Sequence, residues 1–330
     1  MKNKRFLSWV AALLFLTACS TEANIQQILG TSVQAPVFVD CRPVSSREIL
    51  FSFSGPVRVV SLNFDTSLEI ESIEEGSEVS VVLASSPTEG RRITADILVE
   101  DSNRNSLNVI VPFRSRNDRM PLLLFNELRT EYSKPRVEFV EFIAQGPGNL
   151  GALRLFIASH SLSKPIYEFP SAEVKAGEYI VLHLRTIEED CVDETGTDLA
   201  LSGGADAQPD ARDLWLPGST KLLRKTDALW LMDQDDRILD AVLLCENPQE
   251  WGKNNSAAAA ELLGRQGAWL SKSGGALGPE DAITTAGTTA TRTICRDESL
   301  PPATGSGNWY ICAASSATPG KVNNPKRYVP

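Results

Sequence analysis

Apolar residues recur at every second position through the first third of this chain, and that period fits a strand rather than a helix. Ile49, Phe51 and Phe53 share one face. Val60, Leu62 and Phe64 repeat the pattern, then Leu68 and Ile70, and then Val79, Val81 and Leu83. Ile93, Ala95, Ile97 and Val99 follow, and Leu107, Val109, Val111 and Phe113 close the series. Turn chemistry separates the runs at Ser54-Gly55-Pro56, Glu75-Gly76-Ser77, Pro87-Thr88-Glu89-Gly90 and Asp101 to Asn105. With Val37 to Val44 this predicts about seven short strands in an antiparallel sandwich over 37–115.

The hexamer Arg-Ser-Arg-Asn-Asp-Arg at 114–119 reads as a solvated linker. Beyond it, Leu123-Leu124-Phe125-Asn126-Glu127-Leu128 and Glu138-Phe139-Val140-Glu141-Phe142 are strand candidates. So are Leu153, Leu155 and Ile157, and the run Tyr179-Ile180-Val181-Leu182 after Ala176-Gly177. Leu229 to Asp233 and Ile238 to Val242 flank a polar turn and predict a hairpin. Asn255-Ser256, an alanine-rich stretch to Gln266, and then Gly267 predict a short helix, with Leu262, Leu263 and Trp269 docking it on a sheet. Gly274 to Thr289 reads as loop with little to offer a core. The expected fold class is therefore all-β: two sandwiches in tandem, the second with long inserts and a short helix.

Lys2, Lys4 and Arg5 precede an apolar run from Phe6 to Phe15, too short to span a bilayer as a mature helix. Leu16-Thr17-Ala18-Cys19 closes it and resembles the lipobox of bacterial lipoproteins. The resemblance implies a signal peptide over 1–18, acyl chains such as palmitate on Cys19, and a tether over 19–36. The formal net charge is −10, and it is more negative once the three basic residues of the leader are gone. Such a body is a poor partner for nucleic acid, whose binding rests on Lys and Arg at phosphates. Anchoring would then fall to the acyl chains, of which two hold a protein stably.

The first sandwich resembles bacterial Ig-like domains in architecture. In the second domain the order Asn126-Glu127, Glu138-x-x-Glu141, Ala176-Gly177-x-Tyr179, Asp233…Asp240-x-Val242, Trp309, then Thr318-Pro319-Gly320-x-x-Asn323 resembles the lamin-tail domain. That implies a second Ig-like antiparallel sandwich over 121–324. The sequence departs from the pattern at the hairpin turn, where Asp235, Asp236 and Arg237 stand in place of a glycine turn. Asn308 stands before Trp309 where an aspartate is common. Arg185 to Asp227 and Glu246 to Thr291 exceed a minimal domain.

Beyond Cys19 there are five cysteines, an odd number, so one thiol is left over. Export permits disulfides. Cys295 with Cys312 and Cys191 with Cys245 are the expected pairs, because each lies within one domain. The first would close a short loop, for about 3 kcal/mol on the chain-entropy account. No C-x-x-C pair or histidine cluster favours zinc, and no metal or other cofactor is expected. Glu127, Glu138 and Glu141 are candidates for an acid–base pair. Strand period sets Glu138 and Glu141 on opposite faces, which favours buried carboxylates accepting backbone hydrogen bonds. Asp233, Asp235, Asp236 and Asp240 lack the glycine and glutamate of an EF-hand and read as a hairpin turn. Glu188, Glu189, Asp190, Asp193, Glu194 and Asp198 read as a solvated acidic loop. His183 reads as a strand residue. No G-x-S-x-G, H-E-x-x-H or phosphate loop is present.

Trp215, Trp251 and Trp269 lie in the inserts, where exposed aromatics on loops would form a ligand-binding platform. The expected protein is non-catalytic, exported and lipid-anchored in the outer membrane, acting as an interaction or scaffold module on an envelope or surface protein. A metal-dependent hydrolase working through the acidic loops, or a glycan-binding surface protein, are the alternatives.

Overall fold

The computed structural model describes residues 35–253 and 255–330. The signal segment 1–18, Cys19 and most of the tether lie outside the described residues. The chain divides into two compact units, one comprising residues up to Pro87 with Arg92–Arg114, the other Thr88–Arg91 with Ser115–Pro330. Both are all-β, and one α-helix is present among the described residues.

The first unit holds β1 (Phe38–Pro43), β2 (Glu48–Phe64), β3 (Ile70–Glu74), β4 (Gly76–Leu83), β5 (Arg92–Glu100) and β6 (Ser106–Arg114). Every pairing is antiparallel, in the order β3-β4-β2-β5-β6 with β1 also on β2. The alternation does what its period requires: Ile49, Phe51, Val79, Val81, Ile93, Ile97 and Val99 are buried together. One expectation is corrected. The segment Ser54-Gly55-Pro56 is no turn; it lies inside β2, which runs for 17 residues. The register on β4 shifts between Ser52 and Val57. A proline, which lacks a ladder donor, is tolerated at such an irregularity. Beyond it β2 leaves β4 and pairs with β5. Two expected strands are thus one bent strand serving both halves of the core.

In the second unit a six-stranded sheet runs β14 (Arg212–Trp215), β13 (Tyr179–His183), β8 (Phe139–Ala144), β7 (Leu123–Arg129), β18 (Ile294–Arg296), β19 (Trp309–Ile311). A five-stranded sheet runs β11 (Tyr167–Glu168), β10 (Arg154–Ile157), β15 (Asp227–Met232), β16 (Ile238–Cys245), β17 (Ile283–Thr284). β9 (Gly148–Asn149) pairs with β12 (Glu173–Val174). Leu123, Phe125, Phe142 and Leu182 of one sheet meet Leu155, Leu229, Leu231 and Val242 of the other in one core. The pair Arg296–Asp240, at 2.6 Å, ties β18 of the first sheet to β16 of the second.

Two pairings are parallel, β13 with β14 and β16 with β17, which corrects the wholly antiparallel expectation. The long inserts explain it. A parallel neighbour needs a crossover of a dozen or more residues, and each insert supplies one. The second crossover carries the helix α1 (Ser256–Arg265), which follows Asn255, whose side chain donates to the Ala158 carbonyl rather than capping the helix, and ends at Gly267 with φ +67°. Ala259, Ala260, Leu263 and Trp269 join the core, with Leu262 packed against it. Ile283, Thr285 and Thr288 are also buried, so the stretch 274–289 is not dispensable loop.

The 114–119 hexamer is no solvated linker either. Ser115 and Asn117 are buried. Asn117 Nδ2 donates to the Asn149 and Gly151 carbonyls at 2.7 Å, and Arg116 forms a two-pronged pair with Asp235 at 2.8 Å. All of these partners belong to the second unit.

Trp269 shows what an insert contributes. Its ring is 2% exposed, and Nε1 donates to the Asp281 carbonyl at 3.0 Å. Trp269→Ala should lower the unfolding free energy by about 3–5 kcal/mol, the usual penalty for emptying a large aromatic site. A urea midpoint unchanged by the substitution would show that the insert is not part of the core.

Candidate functional site

The six-stranded sheet has a second buried face, and the chemistry-bearing side chains gather there. Glu127 on β7 stands directly opposite Glu141 on β8. Both are fully buried. Glu127 accepts from Thr318 N at 3.1 Å and from the Thr293 hydroxyl. Glu141 accepts from Gly320 N at 2.5 Å and from Asn126 Nδ2 at 2.8 Å. Asn323 N donates to Glu298 at 2.8 Å, and Asn323 Nδ2 donates to the Asn126 and Arg296 carbonyls. Burial pushes the Glu127 carboxyl up to about 7 against the pull of these donors. It raises Glu141 well above the usual range, with the charge of Glu127 adding to the rise. Burial and mutual repulsion both favour keeping a proton on the pair.

The carboxylates thus accept backbone hydrogen bonds, as the sequence suggested. The pairing that matters is across strands, Glu127 with Glu141. Glu138 lies elsewhere, in a buried pair with Arg185 at 2.5 Å.

On the same face, His183 Nε2 hydrogen-bonds Asp213 at 2.8 Å, and the imidazole stacks on Trp215 with centroids 3.8 Å apart. Beside them Arg129 pairs with Asp206 at 2.6 Å. The insert covers this group with its own acids. Glu194 accepts from Asp213 N, Asp193 accepts from Trp215 N, and Ser202 Oγ accepts from Trp215 Nε1. Part of the expected solvated acidic loop is therefore buried or half-buried and used as hydrogen-bond acceptor. Asp233, by contrast, shapes the hairpin turn, accepting from Asp235 N and Arg237 N. Among the described residues no group of three or more His, Cys, Asp or Glu side chains is arranged to hold a metal.

The tryptophan platform is corrected. Trp215 and Trp269 are buried, and Trp251 is half-buried against the core. Their large apolar areas bind the inserts to the sheets and leave no common exposed surface. The disulfide expectations are also corrected: Cys41, Cys191, Cys245, Cys295 and Cys312 are free thiols. Cys295 and Cys312 do lie side by side. Their side-chain interaction lowers the Cys312 thiol to about 6 and, with burial, raises Cys295. Thr293 Oγ1 contacts both sulfurs, at 3.6 and 3.1 Å. Cys191 and Cys245 are not brought together. Cys191 borders Gly204 beside Trp215, whereas the Cys245 thiol donates to the Asn247 carbonyl at 3.0 Å at the end of β16.

What faces solvent is a cleft of about 230 Å³ beside β17 and β19, the terminal strands of the two sheets. Cys245, Lys272, Glu280, Ile283, Ser306 and Trp309 are among its lining residues. Trp309 was legible only as a core position. What brings it to the cleft is its place at the start of the edge strand β19, which no local pattern in the sequence discloses.

A family model described as "TP_1001_2nd: protein second domain" matches residues 121–311, from just before β7 to the end of β19. The chain belongs to that family. An uncharacterized protein of Treponema pallidum (strain Nichols) is 29% identical over 199 residues, 56% of this chain. The chain spans about half the length of that relative, 49%. A crystal structure of a DUF4876 family protein from Bacteroides thetaiotaomicron VPI-5482 covers 83% of this chain and 92% of its own, at 11% identity and a TM-score of 0.29. A likeness that low carries no argument.

The carboxylate pair sets a pH dependence. A carboxyl raised on folding stabilises fully below its unfolded value, and that contribution is lost as pH rises through the folded one. Between about pH 5 and pH 8 the urea midpoint of the second unit should therefore fall. Glu127→Gln, which keeps an acceptor for Thr318 N, should flatten that fall. A wild-type midpoint that rises over this window would contradict the assignment.

Proposed function

We propose that this chain is an exported lipoprotein, anchored in the outer membrane by acyl chains on Cys19, whose second unit is a non-catalytic interaction or scaffold module. The observation that carries the reading is the use made of the carboxylate pair. Glu127 and Glu141 hold the backbone of Thr318 and Gly320 against the sheet. A general acid must reach a substrate proton within hydrogen-bond distance, and here those positions are filled by the protein's own main chain. The His183–Asp213 pair is sealed in the same way under Trp215. Ionisable groups used as fixed ties suit a rigid scaffold rather than a reaction centre.

The same contacts support the lamin-tail resemblance. Asn126-Glu127, Glu141 and Thr318-Pro319-Gly320-x-x-Asn323, far apart in the chain, meet in one network. Asp240, of the hairpin motif, pairs with Arg296 at 2.6 Å, and the Arg296 guanidinium lies 4.7 Å from the centre of the Trp309 ring. The anionic body argues for a protein partner in the envelope or at the surface over nucleic acid.

Cys19→Ala should abolish acylation and move the full chain out of the detergent-rich phase on partitioning. Partitioning indifferent to the substitution would overturn the anchor. The module is tested by chemical crosslinking of the tagged full chain in the intact envelope. A partner of fixed stoichiometry is expected, and recovery of the chain alone would overturn the interaction role.

A further inference from the structure

Cys295 on β18 and Cys312, just past β19, are both fully buried and both free. They do not stand directly opposite each other. Register sets Cys295 opposite Tyr310, and Cys312 N donates to the Thr293 carbonyl at 3.0 Å, which sets Cys312 opposite Thr293. The two cysteines are thus diagonal neighbours on one face of the strand pair. Their sulfurs converge there. Thr293 Oγ1 lies 3.6 Å from the Cys295 sulfur and 3.1 Å from the Cys312 sulfur.

The diagonal placement decides what such a pair can do. Diagonal side chains start about 7–8 Å apart, somewhat less between Cβ atoms. A disulfide brings its Cβ atoms to about 3.8 Å, so direct bonding would require the strands to shift. A bridging ion would not. A metal–thiolate bond is about 2.3 Å long, so an ion between two sulfurs holds them up to roughly twice as far apart as the ~2.05 Å of a disulfide.

The surroundings narrow the kind of ion. Cys295, together with Thr293, whose N–H donates to the Cys312 sulfur at 3.2 Å, brings the Cys312 thiol down to about 6. The thiolate is the form that binds metals. The nearest carboxylate is committed: Glu127 accepts from the Thr293 hydroxyl and from Thr318 N. His183 is held by Asp213 on another strand pair. Two sulfurs are therefore the whole donor set. Zinc takes four ligands, and hard cations take oxygen. Monovalent copper is soft, selects thiolates, and is satisfied by two of them.

We propose that Cys295 and Cys312 bind one cuprous ion between their sulfurs. Two copper–sulfur bonds form, the Cys295 S–H bond breaks, its proton leaves to solvent, and no electron moves. With Cys312 already ionised, one proton is exchanged for one monovalent cation. The buried charge does not change, so burial does not oppose the exchange. Ala317 packs against the pair and shields a bound ion from water. This site goes beyond the interaction role proposed above and does not rest on it.

The test uses the purified, reduced full chain under anaerobic conditions, with cuprous ion supplied as its bicinchoninate complex. The chain should draw one equivalent of copper from the chelator, and X-ray absorption should show copper bound by two sulfurs alone. Copper should also raise the urea midpoint, as any ligand of the native state does. Cys295→Ser and Cys312→Ser nearly keep the size of the side chain. Each should weaken the competition at least hundredfold and abolish the midpoint shift. Replacing Cys41, Cys191 and Cys245 together by serine should change neither. The wild-type readouts do not depend on the variants folding. No copper drawn from the chelator, a full equivalent held after either single substitution, or oxygen or nitrogen ligands in the absorption spectrum would overturn the proposal. So would a Cys295–Cys312 disulfide mapped in the chain isolated without reductant.

Discussion

Two carboxyl groups facing each other in the middle of a buried sheet constrain the rest of the second unit. Glu127 and Glu141 are cross-strand partners with no access to water. Like charges so placed cannot both ionise without a large penalty, and each oxygen left without a donor adds to it. The sheet itself cannot supply enough donors, because its backbone N–H groups are engaged in the ladder. They come instead from Thr318 and Gly320, some 180 to 190 residues further along the chain. The C-terminal segment is therefore held across the outer face of β7 and β8. Once there, Asn323 reaches Asn126 and Arg296, and Arg296 reaches Asp240 on the opposite sheet. Buried networks of this kind favour a single arrangement, because a half-satisfied one is worse than none.

The inserts follow the same logic at the other end of that sheet. The second face of the six-stranded sheet carries Phe139, Val181 and Ala211 among its polar groups, and it is buried rather than open to water. The stretch between β13 and β14 closes it, and long connections of this kind are what a parallel pairing requires. Trp215 provides the contact area and His183 its stacking partner. The acids of the loop act as acceptors for backbone N–H groups of β14. Side chains that would suggest catalysis in isolation are here the means by which a long loop is fixed. The loop is thereby tied to the sheet along the length of β14.

Much of the first unit could be read from alternation alone, because one face of each strand is buried and the other is not. The error at Gly55-Pro56 arose because a turn and a bulge use the same residues. The second unit was harder for a definite reason. Leu123 to Leu128, Phe139 to Ile143 and Tyr179 to Leu182 are apolar at nearly every position, and such runs signal a strand covered on both faces. Taken seriously, that signal would have placed the inserts over the sheet and the tryptophans inside. The helix was legible because its alanine-rich run and its stop at Gly267 are local. Glu127, Glu138 and Glu141 were legible as candidates, but spacing within one strand does not single out the pair, because it is register that places Glu141 opposite Glu127. Cysteine pairing was out of reach because residue type carries no information about which thiols meet.

The position of the cleft follows from how the sandwich ends. Interior strands of both sheets are covered, but β17 and β19 are terminal strands of two and three residues. Edge strands present unpaired backbone and invite unwanted pairing, and shortness is one defence. Here Tyr328 N donating to Ile311 O at 2.8 Å adds another by occupying part of the β19 edge. Strands this short do not close the sandwich fully. Ser306, in the turn that leads into β19, and Trp309, at its start, therefore line a cleft left at the end of the sandwich. A sandwich closed elsewhere by its own loops thus keeps a small cleft where its edge strands are shortest.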